Sequence, residues 1–181
     1  MLSQFLKSLQ NFFNYHSFLW LIVAVLGFIA VWALIEYVLD RYALCYKLFN
    51  MVMFGVTVFL ILCITLRYRS EQTYSISMVP FSLLYHSFSD SVVFMSLALN
   101  IVMFIPFGLF GCSLFRCTSK RSAIIFILCG VAFSVLIEAA QFLLSIGNTE
   151  IDDVICNSLG LAIGFLCYRL HNRYIISKRR K

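Results

Sequence analysis

Four carboxylates lie close together in this sequence, at Glu138, Glu150, Asp152 and Asp153, and they are half of its eight acidic residues. Long runs of Leu, Ile, Val and Phe flank them on both sides. Carboxylates in such surroundings can accept strong hydrogen bonds, hold a cation through their oxygens, or exchange protons. Which of these they do depends on the elements that place them.

The composition places those elements in a membrane. Of the 181 residues, 62% are hydrophobic and 12% are charged, whereas soluble domains carry roughly 25% charged residues. A transmembrane helix needs about 20 apolar residues. We therefore predict an all-α, polytopic helical bundle of five transmembrane helices, with apolar runs at Phe18–Ile35, Leu48–Leu66, Ser91–Phe115, Ser122–Ser145 and Val154–Leu170.

The distribution of Lys and Arg predicts the orientation of the bundle. Five spans leave only three of the fourteen basic residues, Lys7, Arg67 and Arg69, on the side of the N-terminus. Because cytoplasmic loops carry the excess of basic residues, we predict an N-terminus outside the cell, a cytoplasmic C-terminus and an acidic loop that faces outward.

The chain is expected to have three parts. These are an N-terminal segment with the first span (1–47), a membrane domain (48–170) and a basic cytoplasmic tail (171–181). Such a tail is typical of an anchor at an anionic leaflet rather than of a nucleic-acid-binding arm.

Small and polar residues recur at helical spacing in the last three spans. Positions three or four apart stack on one face of a helix, and in a bundle such faces can meet. We predict that they line an outward-facing polar pocket, with Glu138 deep inside and the two aspartates at its mouth. The faces consist of Asn100, Gly108 and Gly111 in the third span, interrupted by Pro106; of Gly130, Ser134, Glu138, Gln141 and Ser145 in the fourth; and of Asp153, Asn157, Gly160 and Gly164 in the fifth, with Asp152 beside them.

Most of these features also have a purely structural interpretation. The glycines of the fifth span are typical of close helix packing, the amides can hold helices together, and Pro106 can kink its helix. The adjacent aspartates can complement the dipole of the helix that follows them. Glu138 differs, because an ionisable residue inside a membrane span is a functional candidate by default.

The loop at 67–90 is long for a connection between helices. It begins with Arg67 and Arg69, contains Pro80 and Phe81 near its middle, and continues into a short apolar stretch. That stretch is too short to cross a membrane but suits its interface. The loop is predicted either to cover the pocket or to lie at the interface, and its arginines are candidates to reach the buried carboxylates.

The order of these residues resembles the VanZ-like family. The resemblance covers about residues 67–168. It implies a multi-pass protein of the bacterial cell membrane with a tie to the cell surface. The family is named for a small membrane protein associated with resistance to teicoplanin, a lipoglycopeptide that binds cell-wall precursors. The matching residues are Arg67, Val79-Pro80-Phe81, Asn100-x-x-x-Phe104-x-Pro106-Phe107-Gly108, Glu138-x-x-Gln141 and Asp152-Asp153-x-x-x-Asn157-x-x-Gly160.

Three functions are open on these grounds. The first is a non-enzymatic protein whose pocket binds a lipid headgroup, a lipoglycopeptide or a lipid-linked cell-wall precursor. The second is a membrane enzyme acting on a lipid-linked phosphate, with Asp152, Asp153 and Asn157 as oxygen ligands of Mg²⁺. The third is a small carrier with Glu138 as a proton relay, for which a homo-oligomer could supply the missing symmetry.

We favour the first function, a contribution to lipoglycopeptide resistance without covalent chemistry. Membrane lipids are the expected partners, and no cofactor, metal or nucleic acid is expected. The seven cysteines contain no Cys-x-x-Cys pair and the three histidines are scattered, so they form no metal-binding pattern.

Overall fold

The computed structural model of the chain describes residues 2–39, 41–67, 76–77, 79–81, 83, 85, 91–144 and 149–179. In these ranges five long helices carry the fold, and two very short strands pair at one end. The elements are α1 (Leu2–Leu39), α2 (Ala43–Arg67), β1 (Ile76–Ser77), α3 (Ser91–Leu114), α4 (Lys120–Leu144), β2 (Thr149–Glu150) and α5 (Ile151–Arg179).

Each helix contains a segment that is long and apolar enough to cross a membrane. The prediction of an all-α bundle with five spanning helices is therefore confirmed. The fifth helix is longer than its apolar run predicts, because its more polar C-terminal residues continue the helix to Arg179. The position of the N-terminus outside the cell stays a prediction. The segments are Leu19–Leu39, Ala43–Leu66, Val92–Leu114, Lys120–Leu144 and Ile151–Ser177.

Helices α3 and α5 make the most extensive helix contact in the described part of the bundle. Glycines permit it: a Cβ atom at Gly160 would overlap the backbone carbonyl of Ile101, and one at Gly164 would overlap that of Ile105. Small residues let two helix backbones approach closely, which is a main source of packing in membrane bundles. The packing interpretation of this glycine pair is therefore confirmed.

Phenylalanine rings fill the centre of the bundle. Phe104 and Phe110 on α3 are buried, and the rings of Phe107 and Phe133 stack almost in parallel with their centroids 5.4 Å apart. The span of α1 buries the smallest share of its residues, and that of α5 buries the largest. The most deeply buried part of the fold is thus built by α3 and α5, with α1 at the periphery.

A short parallel pairing joins the loop at 67–90 to the segment before α5. Ile76 in β1 pairs with Thr149 in β2, and Ser77 pairs with Glu150. Strands of two residues are too short to show the alternation that signals a strand in a sequence, so the sequence did not predict them. The pairing brings part of the loop to the start of α5.

Candidate functional site

Seven polar side chains form a buried set where α3, α4 and α5 meet, and each is at most 8% exposed. Apart from Ser145, which lies outside the described residues, the predicted small-and-polar faces lie on the buried sides of these helices. Polar groups inside a membrane cost free energy unless donors and acceptors meet them, so their partners decide what the set can do. We call it the acidic cluster: Asn100 on α3, Ser134, Glu138 and Gln141 on α4, and Asp152, Asp153 and Asn157 on α5.

Asp153 bonds to Asn100 across the closest helix contact. The side-chain amide of Asn100 donates to Oδ1 of Asp153 at 2.6 Å. The carboxyl group is 2% exposed, and hydrogen bonds to a carboxylate are stronger than those between neutral groups. Asn100 therefore holds α3 and α5 together in one register.

Asp152 uses both carboxylate oxygens to hold the loop at 67–90. The backbone N–H of Phe81 donates to Oδ1 at 2.6 Å, and that of Leu83 donates to Oδ2 at 2.8 Å. Phe81 has a φ of 64°, a left-handed conformation that is uncommon for a residue other than glycine. The chain turns sharply here, so that two N–H groups point at one carboxylate. Asp152 thus anchors this part of the loop to the first turn of α5.

Glu138 turns from α4 toward the segment before α5. Its Oε2 atom accepts from the backbone N–H of Glu150 at 3.1 Å, and the side chain is 6% exposed. Glu150 is the residue directly before α5. Asp152 and Asp153 belong to the first turn of α5, so the three carboxylates all lie near the start of this helix, which concentrates acceptors there.

Asn157 contributes an acceptor that has no hydrogen-bond partner among the described residues. Its amide nitrogen donates to Oγ of Ser134 at 2.9 Å, whereas its Oδ1 atom is buried and unpartnered. A buried carbonyl oxygen without a donor is unfavourable. Asn157 lies one helical turn from Asp153 on the same face of α5. A ligand that donates a hydrogen bond to its Oδ1 atom would therefore gain more binding free energy there than elsewhere in the acidic cluster.

Gln141 ties α4 to α2 rather than to the other polar faces. Its Nε2 atom donates to the backbone carbonyl of Thr65 at 2.9 Å. The span that contains Thr65 was predicted from the sequence, but its polar face was not. Asn50, Thr57 and Thr65 recur there at spacings of seven and eight, which is the spacing of one helix face and is the signal that could have found it.

The predicted glycines of the spans have packing roles. A Cβ atom at Gly108 would meet the backbone of Leu161 and Gly164 on α5, and Gly160 lies against α3 in the same way. Helix α3 continues through Pro106. These glycines therefore allow the backbones of α3 and α5 to approach closely.

The predicted loop residues are only partly placed. Pro80 and Phe81 are exposed, and Phe81 contributes its backbone N–H rather than its ring. Arg67 ends α2, but its side chain lies outside the described residues, as does all of Arg69. The reach of these arginines to the carboxylates stays a prediction.

A second set of polar residues, three of them buried, lies at the opposite end of the bundle, and the sequence did not predict it. We call it the tyrosine cluster: Glu36 on α1, Tyr46 and Asn50 on α2, and Ser113 on α3. The Tyr46 hydroxyl hydrogen-bonds the Glu36 carboxylate, and the Ser113 hydroxyl lies beside it. Glu36, Asn50 and Ser113 are at most 2% exposed. Glu36 was missed because it directly follows an apolar run, where a charged residue usually faces water.

The described side chains include no group of three or more His, Cys, Asp and Glu residues placed to hold a metal ion. All seven cysteines are free thiols. At Asp152 both carboxylate oxygens accept backbone N–H groups, so the geometry of this residue favours anchoring over metal ligation.

Comparison with known proteins agrees with the resemblance in the sequence. The family model described as VanZ/LLP1 matches residues 48–172, a range that contains the whole acidic cluster. Protein VanZ of Enterococcus faecium is 35% identical over 80 residues, which are 44% of this chain and 48% of that protein. The aligned part thus spans about half the length of this curated relative. No solved structure matches the chain.

The family match covers well over half of the chain, and the five apolar helices have the length that a membrane requires. The order of the matching residues and the buried cluster that they form point the same way. The chain therefore belongs to the VanZ/LLP1 family and is a multi-pass membrane protein.

Proposed function

We propose that the protein is a non-enzymatic binding protein of the bacterial cell membrane. Its acidic cluster faces outward and recognises a lipid headgroup, a lipid-linked cell-wall precursor or a lipoglycopeptide of the teicoplanin type. Binding there lowers the access of the antibiotic to its precursor targets. The observation that carries the proposal is the convergence of three buried carboxylates at the start of α5, one turn from the unpartnered Oδ1 atom of Asn157.

Preorganisation supports a binding role. Glu138, Asp152 and Asp153 each accept a donor from another part of the chain, so their positions are set before a ligand arrives. Acceptors held in this way lose little conformational freedom on binding. Their chemistry suits a ligand rich in N–H and O–H donors, such as the peptide and sugar parts of a glycopeptide or of a wall precursor.

The bonds of Asp152 favour binding over catalysis. A general acid, a general base or a metal ligand needs an oxygen that can reach the substrate or the ion. Both oxygens of Asp152 instead receive N–H groups at 2.6 and 2.8 Å. This residue therefore supports the site by holding the loop beside it.

Susceptibility to teicoplanin tests the proposal. The full chain is expressed in a sensitive bacterial host, and wild-type protein should raise the inhibitory concentration. Glu138→Gln and Asp153→Asn should each lower the inhibitory concentration roughly fivefold, because loss of about 1 kcal/mol from one hydrogen bond weakens binding by about that factor. Glu36→Gln is the matched control, because it makes the same change at a buried glutamate of the tyrosine cluster.

The amount of each variant in the membrane is measured with a C-terminal tag, so that loss of protein is separated from loss of function. Protection by Glu36→Gln together with its loss in the other two variants supports the proposal. A wild-type protein that gives no protection, or full protection by both acidic-cluster variants at equal abundance, refutes it.

A membrane enzyme acting on a lipid-linked phosphate is the second candidate. It is favoured by the oxygens of Asp153 and Asn157, which lie one turn apart and could share a hard cation such as Mg²⁺. Purified protein should then release phosphate from a polyprenyl pyrophosphate only when Mg²⁺ is added, and Asn157→Ala should lose this turnover. Absence of turnover in the wild-type protein rejects this candidate.

A further inference from the structure

A groove of about 570 Å³ lies on the side of the bundle between α2, α3 and α4. Phenylalanines are half of its ten lining residues, and Cys129, which also lines it, is exposed. It extends from the middle of α4 to the turn between α3 and α4, so it occupies the half of the bundle away from the acidic cluster. The five rings are Phe54, Phe107, Phe115, Phe126 and Phe133.

The wall of this groove is held by ring contacts. The centroids of Phe54 and Phe107 are 5.0 Å apart, and those of Phe107 and Phe126 are 5.8 Å apart. At the outer end of the groove, the ring of Phe115 contacts the rings of both Phe54 and Phe126. Edge-to-face and offset arrangements of this kind are favourable, so the groove keeps its shape through its own packing. An apolar, aromatic groove of this size is suited to a hydrocarbon chain.

Three basic residues adjoin the end of the groove in the chain. Phe115 and Ser122 line that end, and Arg116, Lys120 and Arg121 lie within two residues of them and are all exposed. The groove therefore does not end in neutral surface but beside a concentrated positive charge.

The local backbone adds to this positive charge. Lys120 and Arg121 are the first residues of α4, whose first turn contains no acidic residue. A helix N-terminus carries a partial positive charge and is normally matched by acidic groups or anions. Ser119 caps the helix by accepting the N–H of Ser122 at 3.0 Å, so its side chain also brings no negative charge. An anion bound here would relieve the repulsion between the helix end and its own cations.

We propose that the groove holds one acyl chain of an anionic phospholipid, whose phosphate lies at Arg116, Lys120, Arg121 and the N-terminus of α4. One molecule of this class satisfies both halves of the site, because it joins an apolar chain to a negative headgroup. A partner helix would cover the rings but would leave the cations unmatched. The positive-inside rule assigns this end to the cytoplasmic leaflet, where anionic lipids attract basic residues.

This site is separate from the acidic cluster, and its test does not depend on the proposed function. Purified full-length protein in detergent is mixed with phosphatidylglycerol or with phosphatidylcholine, and bound lipid is counted by native mass spectrometry. Wild-type protein should bind phosphatidylglycerol roughly tenfold more tightly than phosphatidylcholine, since each basic residue at a membrane surface favours anionic lipid. The double variant Lys120→Gln and Arg121→Gln should bind the two lipids almost equally.

Three further variants test the groove and serve as controls. Cys129→Trp should lower the binding of phosphatidylglycerol, because the indole fills the groove from its exposed rim, whereas Cys129→Ser should leave binding unchanged. The double variant Arg169→Gln and Arg173→Gln removes the same amount of charge from α5. It should still bind phosphatidylglycerol more tightly than phosphatidylcholine. Unfolding temperatures of all variants show whether each is folded.

The proposal is overturned by equal binding of the two lipids to the wild-type protein, or by an unchanged preference after loss of Lys120 and Arg121. It is also overturned if the wild-type protein forms a dimer that Cys129→Trp dissociates, because a second copy of the chain is then the occupant of the groove.

Discussion

Two glutamates are buried at opposite ends of this bundle, and their surroundings differ. Glu138 in the acidic cluster is 6% exposed, and Glu36 in the tyrosine cluster is 2% exposed. Glu138 accepts a backbone N–H from the connection before α5, whereas Glu36 meets the hydroxyl of Tyr46 on the neighbouring helix. The bonds of the acidic cluster as a whole reach α2, α3, α5 and the loop, whereas the tyrosine cluster lies between α1, α2 and α3.

The difference shows two ways to bury a carboxylate in a membrane bundle. One is a network in which several segments supply donors, and the other is a local contact between neighbouring helices. A change in the network should disturb distant segments, since each bond fixes two of them. A change in the local contact should stay local. Matched substitutions in the two regions should therefore differ in their effects on stability.

Gly160→Val should be the most destabilising change, because the new side chain would enter the backbone carbonyl of Ile101 and separate α5 from α3. The expected loss is about 3 kcal/mol in the free energy of unfolding. Gly27→Val is the control on α1, where an added Cβ atom meets no atom within 4 Å, and its cost should stay below about 1 kcal/mol. Reversible unfolding in mixed micelles measures both, and equal losses would contradict the contrast between α5 and α1.

Asn100→Leu should cost more than Asn50→Leu. The first change removes the donor of a buried carboxylate and should lower stability by about 2 kcal/mol. The second removes a bond within α2, from the Asn50 amide to the carbonyl of Tyr46, together with a buried Oδ1 atom that has no partner among the described residues.

For Asn50→Leu we expect a change below about 1 kcal/mol, because loss of the unpartnered oxygen offsets loss of the bond. The same unfolding measurement compares the two variants. Adding Asp153→Leu to Asn100→Leu should recover part of the loss, as a double-mutant cycle would show. A larger loss in the free energy of unfolding for Asn50→Leu than for Asn100→Leu would contradict this prediction.

Asp152→Asn should loosen the loop without unfolding the bundle. An asparagine offers one acceptor oxygen where the aspartate offers two, and the bond that remains is neutral. The amide hydrogens of Phe81 and Leu83 should therefore exchange roughly tenfold faster in deuterated solvent. Asp153→Asn is the matched control, since Asp153 bonds to Asn100 instead. Unchanged exchange in Asp152→Asn would show that other contacts hold this turn.

Phe81→Gly should produce the smallest effect, a gain of about 0.5–1 kcal/mol in stability. Phe81 has a φ of 64° and is 58% exposed, so glycine relieves the backbone at little loss of burial. Phe59→Gly, at an exposed position inside α2, should instead lower stability by about 1 kcal/mol. Thermal unfolding distinguishes the expected gain of stability in Phe81→Gly from the expected loss in Phe59→Gly. A loss of stability in both variants would show that the ring of Phe81 makes a stabilising contact.

Much of the candidate site was predictable from spacing. The faces on α3, α4 and α5 follow from polar and small residues three or four positions apart, and Asn100, Glu138, Asp153 and Asn157 are indeed buried. The end of α5 was not predictable from hydropathy, since its basic residues continue the helix without being apolar. Glu36 was overlooked for the same reason, because hydropathy marks where a run ends but not which way the next side chain turns.

The five spanning helices and their polar faces were determined by the sequence alone. A bilayer leaves no water for backbone groups, so apolar runs of sufficient length must be helical, and helical spacing then sets the faces. The pairing of each carboxylate was decided only by the tertiary structure. A hydrogen bond needs two atoms about 3 Å apart, and the partners of the carboxylates in the acidic cluster are separated from them by 12 to 71 positions in the chain. Helix packing, loop geometry and the β1–β2 pairing bring them together, and no local pattern encodes that distance.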